Sequence, residues 1–152
     1  PDVDVVVVGV GGGGLISGVA AAVKQQRPGA TIIGVEPEGA RAMSLSLEAG
    51  RLVQLDSVDT VADGLAPPFT GEHNLAHVQS FVDEVVIVTD DEIVEAMGVI
   101  LERTKVIAEP AAASTLAALL SGKAQVAPGS KAVCLLSGGN IDRRRLASPL
   151  GS

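Results

Sequence analysis

The stretch Val5-Val6-Val7-Val8-Gly9-Val10-Gly11-Gly12-Gly13-Gly14-Leu15 decides the fold. Consecutive valines read as a short strand, because β-branched side chains suit an extended, pleated backbone and are stiff in a helix. An unbroken apolar run, rather than an alternating one, is the pattern of a strand covered on both sheet faces. The glycines sit at its C-terminal end, and a helix over residues 15–26 comes next, stopped at Arg27-Pro28-Gly29. That succession builds a loop whose backbone N–H groups can approach an anion, with the positive end of a helix behind them. A phosphate-bearing ligand suits it. The alternative is a tight turn with no ligand, but successive glycines lose much conformational entropy on folding for a turn alone.

Three further runs have the same character, at residues 31–35, 85–88 and 132–136. Between them lie helical patterns. Residues 90–105 place Ile93, Met97, Ile100, Leu101 and Thr104 on one face, and Thr89 with Glu92 forms a capping box at the start. Glu109-Pro110 opens another helix that runs to Leu120, with Gly122 as its stop and Pro128-Gly129 turning the chain into the last strand. Residues 41–81 are less regular: residues 42–49 read as a helix closed by Gly50, and Pro67-Pro68 breaks any element continuing from Asp63-Gly64-Leu65. Strands alternating with helices at both ends of the chain predict an α/β fold with a parallel sheet between helical layers.

Composition narrows the function. The chain has 152 residues, no Trp or Tyr and only two Phe, so its core is built from Val, Ala, Leu and Ile. A net charge of −7 and the lack of aromatics exclude the electrostatics and base stacking that nucleic acids require. The single Cys134 excludes an internal disulfide framework and fits a reducing, cytoplasmic setting. No apolar run reaches the length of a membrane span. A mean hydropathy of +0.40 is nonetheless high, and raises the question of whether the chain is a whole protein.

The identity of the phosphate has two readings. Gly9, Gly11 and Gly14 satisfy G-x-G-x-x-G, and Glu36 lies 22 residues beyond Gly14 at the end of the second strand, which is the dinucleotide fingerprint with its ribose-binding acid. This reading, a Rossmann module, explains nothing else in the chain. The other uses a series of motifs: Val8-Gly9-Val10-Gly11-Gly12-Gly13-Gly14-Leu15, Gly34-Val35-Glu36-Pro37-Glu38, Ala62-Asp63-Gly64, Asp83-Glu84-Val85, Thr89-Asp90-Asp91-Glu92-Ile93, Glu109-Pro110-Ala111 and Leu136-Ser137-Gly138-Gly139-Asn140. In this order they resemble the pyridoxal-phosphate enzymes of fold type II, the threonine dehydratase and serine racemase group.

That resemblance implies a parallel-sheet, three-layer lobe of the tryptophan synthase β-like fold, incomplete here, with residues 1–142 as the large, cofactor-phosphate-binding lobe and 143–152 as a solvated tail. It assigns the cofactor phosphate to backbone N–H groups of Gly11, Gly12, Gly13, Gly14 and Leu15, the pyridine nitrogen to Ser137, the orientation of nearby backbone to Asn140, and a stretch of backbone lying against the cofactor to Gly64. Glu109 matches a carboxylate near the cofactor ring, although an acid at a helix N-terminus is favoured by the dipole in any case. Ser137 also reads as a turn or capping serine before Gly138. Glu36 and the carbonyl of Ala40 match ligands of a divalent cation. The third ligand position holds Ala42, which implies a weak site, filled by a divalent or a monovalent ion. Glu36 as a solvated acid at a strand end is the other reading. His73 and His77 lack the further ligands of a metal site, and Cys134 reads as a buried, inert thiol.

The group's chemistry needs a Schiff-base lysine, which the family carries in a Ser-Phe-Lys type motif upstream of the glycine loop. Lys24, Lys105, Lys123 and Lys131 are not in that context, so no catalytic residue is assigned. The resemblance therefore implies a chain that is one piece of a larger polypeptide and inactive alone. Its expected partners are an amino-acid substrate, the other half of the fold and further copies in a homo-oligomer, with no nucleic acid and no membrane. The implied reaction is β-elimination of L-threonine or L-serine to a 2-oxoacid and ammonia, with serine racemisation as the runner-up.

Overall fold

A computed structural model describes residues 2–144 and 146. Its frame is a four-stranded, all-parallel sheet of β1 (Val5–Gly9), β2 (Thr31–Pro37), β3 (Glu84–Val88) and β4 (Ala132–Cys134), in the spatial order β3-β2-β1-β4. Among the described residues, five α-helices and one 3-10 turn (Asp63–Leu65) connect the strands: α1 (Gly14–Gln26), α2 (Ala42–Ala49), α3 (Glu72–Phe81), α4 (Asp90–Thr104) and α5 (Pro110–Leu120).

The valine run of β1 is buried along its whole length because its side chains feed two cores. Val5 and Val7 point with Ile33 and Val35 of β2 toward α4 and α5. Val6 and Val8 point with Ile32 toward Ile16 of α1, Met43 of α2 and Leu75 and Val78 of α3. Period-two alternation thus supplies apolar side chains to both helical layers, the three-layer α/β arrangement the sequence predicts.

The layers fit their helices in different ways. α5 is alanine-rich and lies against the sheet almost entirely buried, its hydroxyl groups satisfied by the helix itself: Ser114 Oγ donates to the Ala111 carbonyl at 2.8 Å and Thr115 Oγ1 to that of Ala112 at 3.0 Å. α4 begins with the expected capping box, Thr89 Oγ1 accepting from the Glu92 N–H and Glu92 from the Thr89 N–H. α2 closes on Gly50 in a left-handed conformation, as its sequence predicts.

Two features depart from expectation. β4 is shorter than residues 132–136 and is not covered on both faces, since Val133 is 47% exposed. Among the described residues it is an edge strand, paired only with β1. α3 falls within the segment that reads as irregular: Gly71 precedes it without a side-chain cap, and Leu75 and Val78 are its only buried residues, too few for a clear apolar stripe. At the C-terminal end, Arg143 and Arg144 are exposed while Leu146 packs at the margin of the α4–α5 core. The remainder of the 143–152 tail lies outside the described residues.

The strand order fixes where a ligand can sit. The chain moves outward from β1 to β2 to β3, then returns to place β4 on the other side of β1. Loops leaving the C-terminal ends of β1 and β4 therefore diverge to opposite faces and leave a crevice between them, the usual ligand position in an open α/β sheet.

Candidate functional site

That crevice is a cavity of about 240 Å³. The loop from β1 contributes Gly9, Gly11, Gly12, Gly13, Gly14 and Leu15, the loop after β4 contributes Ser137, and Gly64, Leu65, Glu109 and Ala111 close it. Gly11 to Leu15, Gly64, Glu109 and Ser137, assigned to the cofactor from sequence, thus come together from four separate parts of the chain.

The glycine loop is shaped for backbone donation. Val10 N–H still bonds the Val35 carbonyl at 2.8 Å, after which the chain leaves the sheet. Gly13 is the N-cap of α1, with φ +90°, and no side chain caps the helix. A Cβ there would lie 2.6 Å from Met43 Cε and 2.9 Å from Asn74 Cβ, so both conformation and space require glycine. The first-turn N–H groups have no earlier carbonyl within the helix to bond, and they carry the positive end of the helix dipole.

Glu109 is the N-cap of α5, but its carboxylate does not cap its own helix. It reaches across to the loop after β4, where Glu109 Oε2 accepts the Asn140 N–H at 2.9 Å and the Glu109 N–H donates to the Gly138 carbonyl at 3.2 Å. The two bonds bracket Gly139, and at Gly138 just before it a Cβ would lie 2.5 Å from Glu109 Cδ. Asn140 does not line the cavity; its backbone is the anchor that Glu109 uses to hold the segment carrying Ser137.

Glu36 has partners in the structure that none of its three sequence readings (ribose acid, cation ligand, solvated acid) includes. It is fully buried, with its carboxylate turned into the first turn of α2: the Met43 and Ser44 N–H groups each donate to it at 2.8 Å, and Ser44 Oγ donates as well. Burial pushes its pKa up from 4.5, against the opposing pull of the Ser44 and Met43 hydrogen bonds and the Arg41 charge. A ribose could not reach it, which removes the acid on which the dinucleotide fingerprint depends. It is no solvated acid either. It caps α2 from a distance, and the oxygens proposed for a cation are used by that helix. Ala40 beside it is buried, and among the described residues no group of three or more His, Cys, Asp or Glu side chains is placed to hold a metal.

The remaining candidates lie away from the cavity. His73 and His77 are exposed on α3, His77 Nδ1 lying 2.8 Å from the His73 carbonyl oxygen and its ring 5.9 Å from that of Phe81. Burial pushes the Cys134 thiol up, which disfavours the thiolate a nucleophile needs. None of the four lysines lines the cavity: Lys24 pairs with Asp83 at 2.8 Å, Lys123 with Glu92 at 2.7 Å, Lys131 with Asp2, and Lys105 Nζ donates to the Glu102 carbonyl at 2.7 Å.

Sequence reasoning missed Thr70 and Asn74. Both hold the carbonyl of Gly12 from behind the loop, Thr70 Oγ1 at 3.0 Å and Asn74 Nδ2 at 2.6 Å. The only hint in the sequence is their spacing of four, with Asn74 directly before the buried Leu75.

Comparison with known proteins agrees with this geometry. Residues 1–138 match the family model of pyridoxal-phosphate dependent enzymes. The L-threonine ammonia-lyase of Geobacter sulfurreducens is 44% identical over 147 residues, 97% of this chain and 36% of that protein. The serine racemase of Oryza sativa subsp. indica is 40% identical over 93% of this chain and 43% of its own length. Among solved structures, the processed form of threonine deaminase isoform 2 from Solanum lycopersicum superposes with a TM-score of 0.92 at 38% identity, covering 99% of this chain and 44% of that one. The chain therefore spans less than half the length of these relatives. Family model, sequence identity and fold coincide with a glycine loop and a serine facing one cavity at the switch point of the sheet: the chain belongs to the pyridoxal-phosphate dependent enzymes of fold type II, with threonine ammonia-lyases and serine racemases among its homologues.

Proposed function

We propose that this chain forms the cofactor-phosphate-binding lobe of an enzyme that eliminates water from L-threonine or L-serine to give an enamine, whose hydrolysis takes up one water and releases a 2-oxoacid and ammonia. The observation that carries this reading is the meeting of the glycine loop and Ser137 in one cavity. The fit is good for a phosphate held without a cationic side chain, because the cavity offers the uncapped start of α1 and a wall of glycines instead. When bound, pyridoxal phosphate supplies an electron-withdrawing ring that eases removal of the substrate's α-proton.

The residues of this chain do the rest by placement. Gly11, Gly12, Gly13, Gly14 and Leu15 hold the phosphate. Ser137 gives the ring nitrogen a neutral hydroxyl partner, which withdraws electrons less than a charged partner and suits elimination over reactions needing a long-lived carbanion. Glu109 keeps that serine in position through Asn140, and Gly64 completes the wall. Glu36 serves α2 rather than a cation in this reading.

No lysine of this chain is at the cavity, so the Schiff-base lysine is assigned to the part of the fold that this chain does not span, and the 152 residues alone are expected to be inactive. The open edge of β4 is where that part would join. The Val5 N–H bonds the Lys131 carbonyl and the Leu135 N–H bonds the Val7 carbonyl, so alternation turns the peptide groups of Ala132 and Cys134 outward, beside exposed Val133 and Leu136. A homo-oligomeric assembly and a cytoplasmic setting complete the proposal; among the described residues no helix is long and apolar enough to cross a membrane.

The test is turnover by the full-length protein with L-threonine, L-serine and D-serine. Release of 2-oxoacid and ammonia from the L-amino acids is expected. Interconversion of L- and D-serine without 2-oxoacid would transfer the proposal to racemisation, the activity named for the rice relative.

A further inference from the structure

We propose that Thr70 and Asn74 are positioning residues of the anion site, which fix the direction of the Gly13 N–H by holding the carbonyl of the peptide bond that carries it. The inference rests on the reading of the glycine loop as a phosphate site and extends it to residues outside the cavity wall.

Thr70 is 2% exposed and sits just before α3, and Asn74 is in the first turn of that helix. Their hydroxyl and amide converge on one oxygen, the carbonyl of Gly12, at 3.0 and 2.6 Å. Among the described residues no peptide bond is cis, so the Gly12 carbonyl and the Gly13 N–H lie in one plane and point in opposite directions. Two donors on the carbonyl from the α3 side therefore aim the Gly13 N–H away from α3. Without them the peptide plane would turn readily, because Gly12 and Gly13 have no Cβ to resist rotation.

α3 is itself tied to the helix it serves. Ser17 Oγ, in the first turn of α1, donates to the Asn74 carbonyl at 3.4 Å. The Gly13 carbonyl accepts the Ser17 N–H at 3.0 Å, so the peptide on the far side of Gly13 is also fixed. Met43 Cε and Thr70 Oγ1 occupy the space next to Gly13 Cα, where a Cβ would be 2.6 and 3.2 Å away. The loop is thus held from behind by side chains that need not touch the ligand, which pre-forms the site instead of leaving it to be ordered on binding.

The experiment uses the full-length protein, with inorganic phosphate and then pyridoxal phosphate as probes. Hydrogen exchange by mass spectrometry over residues 9–16 reads loop order, and a titration of the same protection reads affinity. Wild type is expected to gain protection there with either probe. Thr70→Val and Asn74→Asp, which remove one donor each, are expected to weaken phosphate binding about tenfold. They should also speed exchange over the loop without probe. Thr70→Ser, which keeps the hydroxyl, is expected to restore wild-type affinity, and melting temperatures identify any variant that fails to fold. A wild-type protein whose loop ignores both probes would overturn the phosphate site and this inference with it. A wild-type response matched by an equal response in both folded donor-deleted variants would overturn the inference alone.

Discussion

Replacing Gly138 by Ala should cost stability only because Glu109 is present. A Cβ at 138 would lie 2.5 Å from Glu109 Cδ and 3.0 Å from Oε2, so the carboxylate has to swing aside. It can do so, being the end of a flexible side chain, but it then gives up the 2.9 Å bond from the Asn140 N–H. A hydrogen bond to a charged group is worth about 1.5–3 kcal/mol, and because Asn140 is exposed the lower end applies, about 1.5 kcal/mol. Glu109→Ala deletes the same bond and should cost about the same. The double variant has neither the clash nor the bond, so its loss should stay near 1.5 kcal/mol, about half the sum of the single losses. The readout is hydrogen exchange over residues 137–140, where each single variant should open the loop roughly tenfold more often than wild type. Glu109→Gln, which keeps an acceptor at the same place, should show a smaller effect. Additive losses in the double variant would refute the clamp, as would Gly138→Ala having full effect in the absence of the carboxylate.

Single positions elsewhere carry their own expected outcomes. Gly13→Ala places a side chain at φ +90° against Met43 and Asn74 and should cost more than about 2 kcal/mol in denaturant unfolding, whereas Gly14→Ala, whose Cβ meets nothing within 4 Å, should leave stability nearly unchanged. Glu36 has a folded pKa above 4.5, so the folded state binds its proton more tightly than the unfolded state does. Its contribution to stability is therefore greatest below pH 4.5 and declines as pH rises through the folded value, and Glu36→Gln should remove that decline from the stability-versus-pH curve. Thr89→Ala breaks the capping box of α4 and should lower stability by about 0.5–2 kcal/mol, measured by thermal or chemical denaturation, with phosphate binding unaffected.

Much of this architecture can be read from one strand and the loop after it. The valines of β1 announce a strand covered on both faces, and the helix-stop residues around Arg27, Gly50 and Gly122 mark three helix ends closely because each acts through local backbone conformation. β4 is harder to delimit because a strand at the edge of a sheet is covered by its neighbours incompletely, and its apolar residues do not report where pairing ends. α3 is hidden in the sequence because only two of its residues are buried. Glu36 shows the limit of spacing arguments: 22 residues from Gly14 fits a ribose acid and the motif fits a cation ligand, yet the carboxylate turns inward to a helix seven and eight residues further along. Thr70 and Asn74 act at separations of 58 and 62 residues, through hydrogen bonds that no local pattern encodes.

The role of the glycine loop is tested most directly by an experimental structure of the full-length protein grown with pyridoxal phosphate. The phosphate should lie within about 2.7–3.2 Å of backbone nitrogens in the 11–15 loop, with Ser137 Oγ in hydrogen-bonding reach of the ring nitrogen. A phosphate held instead by lysine or arginine side chains elsewhere, with the 11–15 loop empty, would contradict that role.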